Sequence, residues 1–431
     1  MKILSVLLNL LILLTTLAYG EDQYKFDLSE TEKKPYHFGG YAEFKPVAFW
    51  PNTNATQYKL NYYKRDPGGN TEEYNAKLQF EGSYEKEAAR LYFKTNTEYK
   101  NSYFGESEHS NLYEGYASLK PSASLKVDAG KRTFKWGKGY AWNPVAFIDR
   151  PKDPNDPELA LEGYIVVSAD YIKSFEGPLK TISFTPVLFP VYDHINDNFG
   201  QSNNLNFAGK LYFLFYDTDI DLIVFTGGSK TTRYGLDFSR NITTNLEVHG
   251  EFAYTRDYQK NFIDSNGNSY LSEYDARSYL LGIRYLTAIY TTYIFEYYHN
   301  AAGFTEGEMK NYNSFIDKGY QSYLSTGKDT LLQKAATLTT NNYGMPNPMS
   351  SYLYLRISQQ EPFDILYFTP AITGIWNVDD KSMTISPEIL YTRFTNWELR
   401  LKAMFLMGGK YSEFGEKQND YRLEFRVGYY F

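Results

Sequence analysis

The stretch DYRLEFRVGYYF, Asp420 to Phe431, ends the sequence. Side chains of an extended strand alternate between two faces. Tyr421, Leu423, Phe425, Val427, Tyr429 and Phe431 therefore share one face, and Asp420, Arg422, Glu424, Arg426 and Gly428 share the other. One face is apolar and aromatic; the other is charged. Both a soluble sandwich and a strand set between lipid and water can use such a pattern, so the remainder of the chain decides between them.

Met1 and Lys2 are followed by an apolar run from Ile3 to about Leu17, then by Ala18, Tyr19 and Gly20 before the charged Glu21 and Asp22. One early cation, a short apolar stretch and small residues at the last and third-last positions before a cleavage point form the pattern of a secretory signal peptide. Residues 1–20 are expected to be removed near Gly20, leaving 21–36 as a polar periplasmic leader too short to be a plug domain. No cysteine stands at the cleavage point, which excludes a lipoprotein. No later segment approaches the roughly 18 apolar residues that a spanning helix needs. A membrane protein made from this chain has to cross with strands.

Composition agrees. With 43 Tyr and 30 Phe the chain is 18% aromatic, yet its mean hydropathy is -0.51, as for strands that alternate between lipid and a polar lumen. The absence of cysteine excludes a disulfide framework and any thiolate metal site. No linker rich in Pro, Gly or Ser divides the 431 residues, so one large domain accounts for the length. A net charge of -7 without a basic cluster argues against nucleic acid as a partner.

Alternation marks strands at 38–48, 74–84, 88–99, 112–119, 123–136, 163–175, 181–190, 207–216 and 220–226. It continues at 232–240, 245–258, 275–286, 289–299, 352–358, 365–377, 383–393, 397–407 and 421–431. The fold class expected is all-β: a single transmembrane antiparallel up-and-down β-barrel over 37–431, with about 18 strands and 16 as the alternative. Tight turns such as Lys120-Pro121-Ser122 and Thr287-Ala288 alternate with longer links, as periplasmic turns and outer loops must. Residues 50–73 count as an outer loop with room for its own hairpin. The long outer loops are 137–162 and 300–351; the second has helical character near 313–324 and 328–338 and reads equally as a fold into the lumen or as an external cap.

The most informative motif runs Trp136-Gly137-Lys138-Gly139-Tyr140-Ala141-Trp142-Asn143-Pro144, and continues through Asp149-Arg150-Pro151-Lys152-Asp153-Pro154 to Glu158. Glycines permit unusual backbone angles and prolines stiffen the loop. Preceded by Gly130-Lys131 and followed by Asn143-Pro144, the motif resembles a group of outer-membrane barrels that includes alginate-export-like and uncharacterised porin-like proteins. The resemblance extends to Ser386-Pro387-Glu388-Ile389-Leu390-Tyr391 and to Glu413-Phe414-Gly415. The last strand, with Tyr429 and Phe431, likewise resembles the closing strand of Gram-negative outer-membrane barrels. These resemblances imply passage of solute through the outer membrane, a lipid surround and recognition of the last strand by the barrel-assembly machinery.

With the apolar face on lipid, the opposite face lines a pore. Its cations are Lys77, Arg90, Lys94, Lys126, Arg132, Lys210, Arg233, Arg284, Arg356, Arg400, Lys402, Arg422 and Arg426. Its acids include Glu98, Glu114, Asp128, Asp237, Glu247, Glu251, Glu296, Glu388 and Glu424. Charge on the lipid face costs about 2–4 kcal/mol per Arg or Lys at the midplane, which forces these residues inward, and near balance of sign gives no anion or cation preference. Oxygen ligands at Asp149, Asp153, Asp156 and Glu158 suit calcium but equally a solvated loop; no metal and no cofactor is expected. Among the five histidines, Asp193-His194 with Asp197 is the best catalytic pair, yet no Gly-x-Ser-x-Gly or His-Glu-x-x-His segment exists, and the chain reads as a non-enzyme. His249, between Glu247 and Glu251, reads as a hydrogen-bonded lining residue. The function expected is a porin for small hydrophilic solutes. The alternatives are a substrate-dedicated export or uptake barrel, for a polysaccharide for example, and a closed structural or adhesive barrel. A homo-oligomer is left open.

Overall fold

Eighteen strands form, one for each alternating segment, in the computed structural model, which describes residues 34–431. The expected signal peptide and residues 21–33 of the expected leader lie outside the described residues. In chain order the strands are β1 (Tyr36–Pro51), β2 (Thr71–Lys86), β3 (Ala89–Ser102), β4 (Gly105–Ser122), β5 (Leu125–Arg132), β6 (Tyr164–Ser174), β7 (Leu179–Val191), β8 (Asn204–Phe215) and β9 (Thr218–Thr226). They continue as β10 (Arg233–Thr243), β11 (Leu246–Ile263), β12 (Ser269–Leu286), β13 (Thr291–His299), β14 (Ser351–Gln359), β15 (Phe368–Asn377), β16 (Met383–Tyr391), β17 (Trp397–Met407) and β18 (Asn419–Tyr430). Each strand pairs with the next, and β18 pairs antiparallel with β1, so no edge is left open. The Gly40 N–H donates to the Phe431 carbonyl at 2.9 Å, and the Phe431 N–H to the Gly40 carbonyl at 3.1 Å. A Cβ on Gly40 would lie 2.3 Å from the Phe431 ring. Glycine there lets the terminal ring fold over the seam, edge-on to Phe80 at 5.8 Å.

The alternation of β18 is realised side by side: Tyr421, Leu423 and Phe425 point out and are exposed, while Glu424 and Arg426 point in and are buried. Leu91, Phe93, Phe252, Ile283, Phe295, Leu355, Ile372 and Phe405 continue this outer apolar band around the barrel. Tyr84, Tyr171, Tyr216, Tyr290, Tyr367 and Phe394 ring it at the short-turn end, as interfacial aromatics do.

Several expected boundaries move for local reasons. β5 stops at Arg132 instead of Trp136 because the N–H groups of Phe134 and Trp136 go to the Asp149 carboxylate (2.8 and 3.0 Å) in place of a ladder. β3 and β4 run on into a tight hairpin at 102–105, with a bulge that sets Lys94 opposite Glu114 and Thr95 opposite Leu112; the extra residue switches faces, so that Asn111 and His109 follow Glu114 inward. β11 and β12 also extend past the expected strand ends, to a turn at 264–268 in which the Asp264 carboxylate accepts from the N–H groups of Asn266 (2.8 Å) and Asn268 (2.9 Å). Residues 52–70 form no hairpin but carry the helix α1 (Thr56–Tyr62).

Loop 300–350 carries α2 (Glu306–Thr326) and α3 (Thr330–Leu338). A capping box between Thr305 and Glu308 starts α2, and Gly327, at φ 72°, ends it. Tyr312, Phe315 and Ile316 of α2, with Leu332 and Ala335 of α3, are packed against Leu60 of α1, Ile263 at the tip of β11 and Phe414 in loop 408–418. Loops from three separate parts of the rim meet these helices, which therefore cap the long-loop mouth.

Candidate functional site

The segment between β5 and β6, expected as an outer loop, folds into the lumen. Its first half is bound by two buried wall carboxylates. Glu251 of β11 accepts from the N–H groups of Lys138 (2.6 Å), Gly139 (2.6 Å) and Val145 (3.2 Å) and from the Asn143 amide (2.8 Å). Glu296 of β13 accepts from the N–H groups of Tyr140 and Ala141 and faces His249 Nε2 at 2.9 Å. A loop that leaves the β-ladder must find acceptors for its N–H groups, and these carboxylates supply them with charge-assisted bonds. The glycines are required by the same cradle. Gly137 sits at φ 98°, where a Cβ would meet Asn143 and Glu251 within 2.7 Å; one on Gly139 would lie 2.1 Å from the Trp142 carbonyl. Asn143 closes the turn by also donating to the Gly139 carbonyl at 3.0 Å, and Pro144 follows it.

The second half crosses to the other wall. Asp156 accepts from Arg426 of β18 at 2.9 Å and lies 3.8 Å from Arg400 of β17, and Lys402 Nζ donates to the Asn155 carbonyl. One loop thus touches β11, β13, β17 and β18, which only a path through the lumen allows. The four acids that suggested a calcium site diverge: Asp149 binds backbone, Asp153 accepts from Asn155 N at 2.9 Å, Asp156 binds arginine and Glu158 accepts from the Tyr140 hydroxyl at 3.3 Å. Among the described residues no three His, Cys, Asp or Glu side chains converge as a metal site would need.

The remaining wall charges fall into networks. Lys77 pairs with Glu98 (3.4 Å) and Lys94 with Glu81 (3.5 Å). Asp128, fully buried, receives Lys126 (3.1 Å), Arg132 and Ser118, and Glu114 accepts from Thr133 at the loop's start (3.0 Å). Arg356 pairs with Glu388 at 2.8 Å and Glu424 with Arg426 at 3.0 Å; Glu247 accepts from Ser239 at 3.0 Å. Arg422 lines a cavity of about 380 Å3 beside the loop, and Lys77 and Arg400 line a neighbouring one of about 280 Å3. Arg90 and Arg284 stand apart, exposed near the short-turn end. Arg233 opens onto a third cavity, of about 620 Å3, between the inward loop and the cap.

Asp221 is a buried wall carboxylate that the alternation did not reveal. Lys210 reaches it at 3.6 Å and Lys138 from the loop at 3.0 Å, with Asp237 3.9 Å from the same amine. Its strand, β9, has Ile223 and Phe225 on the inner face and Leu222 on the outer, so neither face reads as polar. The inner wall of β6 to β9 is apolar here, against the expectation that every apolar face meets lipid. Val166, Val187, Phe189 and Phe225 hold Trp136, Val145, Phe147 and Ile148 of the inward loop. Burial of those four loop side chains, at about 1.5–3 kcal/mol each, adds a hydrophobic anchor to the carboxylate cradle.

No protein-family model and no characterised relative matches the sequence. Solved structures do. Wzi of Escherichia coli, an outer-membrane protein of group 1 capsule assembly described as a carbohydrate-binding β-barrel, aligns over 90% of this chain and 83% of its own, at 10% identity and a TM-score of 0.53. OccK8 (OprE) of Pseudomonas aeruginosa aligns over 92% and 98%, at 9% identity and 0.52. OccK5 (OpdH) of the same organism aligns over 91% and 97%, at 11% identity and 0.51. At such identities the likeness is one of fold, the closed antiparallel β-barrel that these outer-membrane proteins share with this chain.

Proposed function

We propose that this protein is an outer-membrane channel for small hydrophilic solutes, narrowed at mid-height by the loop 133–163. The observation that carries the reading is the polar space left beside that loop. The cavities at its flank are lined by Lys77, Glu81, Lys94, Arg400, Arg422 and Glu424, side chains that stay hydrated in an aqueous path and select by charge. The exposed apolar band is the surface for outer-membrane lipid, since water would not tolerate a patch of that extent. β18, with the Tyr429 ring tilted against Trp397 at 4.8 Å and Phe431 at the seam, is the segment offered to the assembly machinery. Liposome swelling tests the reading. Vesicles with the refolded protein should swell in small neutral sugars and polyols and exclude larger oligosaccharides, whereas no swelling in any solute would overturn it.

The capped mouth favours a second reading, a channel dedicated to one class of substrate. α2 and α3 are packed on the rim through a continuous apolar core that also reaches Trp142 of the inward loop, an arrangement suited to a selective vestibule and not to an adhesive surface.

A further inference from the structure

The cavity between the inward loop and the cap is lined by several cations, only some of which have counterions. Arg150 is paired with Glu162 at 3.2 Å and Lys260 with Glu308 at 2.7 Å. Lys230 and Arg233 are not: among the described residues neither has an ion-pair partner, and the buried Arg233 Nε has no hydrogen-bond acceptor. Lys152 donates only to the carbonyls of Gly139 (2.8 Å) and Tyr140 (3.2 Å). The acids of the lining are engaged elsewhere, Asp149 on backbone N–H groups and Glu158 on Tyr140.

A buried charge without a partner is costly. Lys230, half-buried with its amine 3.6 Å from the centre of the Phe199 ring, can relieve that cost by losing its proton: burial, then the nearby Arg233 and Arg150, push its pKa down to about 7. Arg233 cannot, because a guanidinium stays charged. Something anionic has to complete it. Beside these cations the lining carries aromatic rings, those of Trp142, Phe147, Tyr258, Tyr298 and Phe304. We infer that this cavity is a binding site for a small organic anion, its oxyanion group held by Arg233 and Lys230 and its ring or flat body laid on the aromatic wall. The inference rests on the reading of the lumen as a solute path and names the class of solute that the vestibule collects.

The test is calorimetric titration of the refolded full chain in detergent with three probes: benzoate, acetate and benzyl alcohol. Equilibrium binding does not depend on conductance, so a silent barrel that binds benzoate would sink the channel and spare the site, and a conducting barrel that does not bind would do the reverse. Benzoate should bind more tightly than either acetate, which lacks the ring, or benzyl alcohol, which lacks the charge. Losing a hydrogen bond to a charged group corresponds to roughly a tenfold to hundredfold weakening. R233Q should weaken benzoate by that factor, with K230Q showing a smaller loss at pH 6, and neither should change benzyl alcohol. Heat-modifiable gel mobility reports that each variant is folded. Equal affinity of R233Q and the parent for benzoate, or equal binding of benzoate and benzyl alcohol, would overturn the site.

Discussion

Replacing Glu251 by alanine removes the carboxylate on which the inward loop is hung. Four donors lose their acceptor: the N–H groups of Lys138, Gly139 and Val145 and the Asn143 amide. Each bond to a charged acceptor contributes about 1.5–3 kcal/mol, but lumen water takes up freed donors and the four are not additive. A loss equal to one or two such bonds, about 3 kcal/mol, moves the balance between seated and released loop roughly 100-fold. Glu296 and Arg426 hold the loop still, so the released form becomes populated without taking over. The assay is trypsin added to the outer face of reconstituted protein, since cleavage follows the population of the open form. E251A should be cut after Lys135 or Lys138 under conditions that leave the parent intact, and its single-channel current should be noisier. E251Q, which keeps one acceptor oxygen, should fall between. Identical cleavage and current noise in E251A and the parent would refute the cradle as the loop's anchor.

G139A places a methyl 2.1 Å from the Trp142 carbonyl; overpacking of about 1–3 kcal/mol should loosen the same turn and produce the same trypsin site in a folded barrel. R426Q leaves Asp156, Glu424 and Glu43, now 2.9, 3.0 and 3.7 Å from that guanidinium, without their shared cation, and should shift the reversal potential in a salt gradient toward cations; an unchanged potential would remove these residues from the path. Glu413, in loop 408–418, is buried, with its Oε2 accepting from the Tyr352 hydroxyl (2.7 Å) and the Asn377 amide (2.8 Å). Burial pushes its pKa from the ordinary 4.5 up to about 7. A carboxyl raised on folding contributes stability that is complete below about pH 4.5 and is lost as pH rises through 7, here about 3 kcal/mol. Denaturant midpoints of the parent should therefore fall between pH 5 and 8, and those of E413Q should stay level.

The strand count was legible because lipid and lumen impose a period of two over many residues, as Leu91, Phe93 and Arg90, Tyr92, Lys94 show in β3. The bulge opposite Lys94 was not, since one extra residue inside an alternating run leaves no mark of its own. The inward path of the loop 133–163 was hidden for another reason. Its glycines and prolines announce a fixed shape but not a direction, and the groups that set the direction lie 112 residues away at Glu251, 155 at Glu296 and 270 at Arg426. Acids on a wall face are expected of any pore, and nothing local distinguishes one that cradles backbone from one that faces water. Phe189 and Phe225 misled in the opposite sense: apolar residues on both faces of β7 and β9 serve lipid on one side and the loop on the other.

Single-channel recording of the refolded protein in a planar bilayer tests the central claim most directly. A channel narrowed but not sealed by the loop should give a steady, ohmic conductance in the intact protein and a noisier, larger one in E251A. Silence in both would mean that the lumen is closed, and would contradict the account.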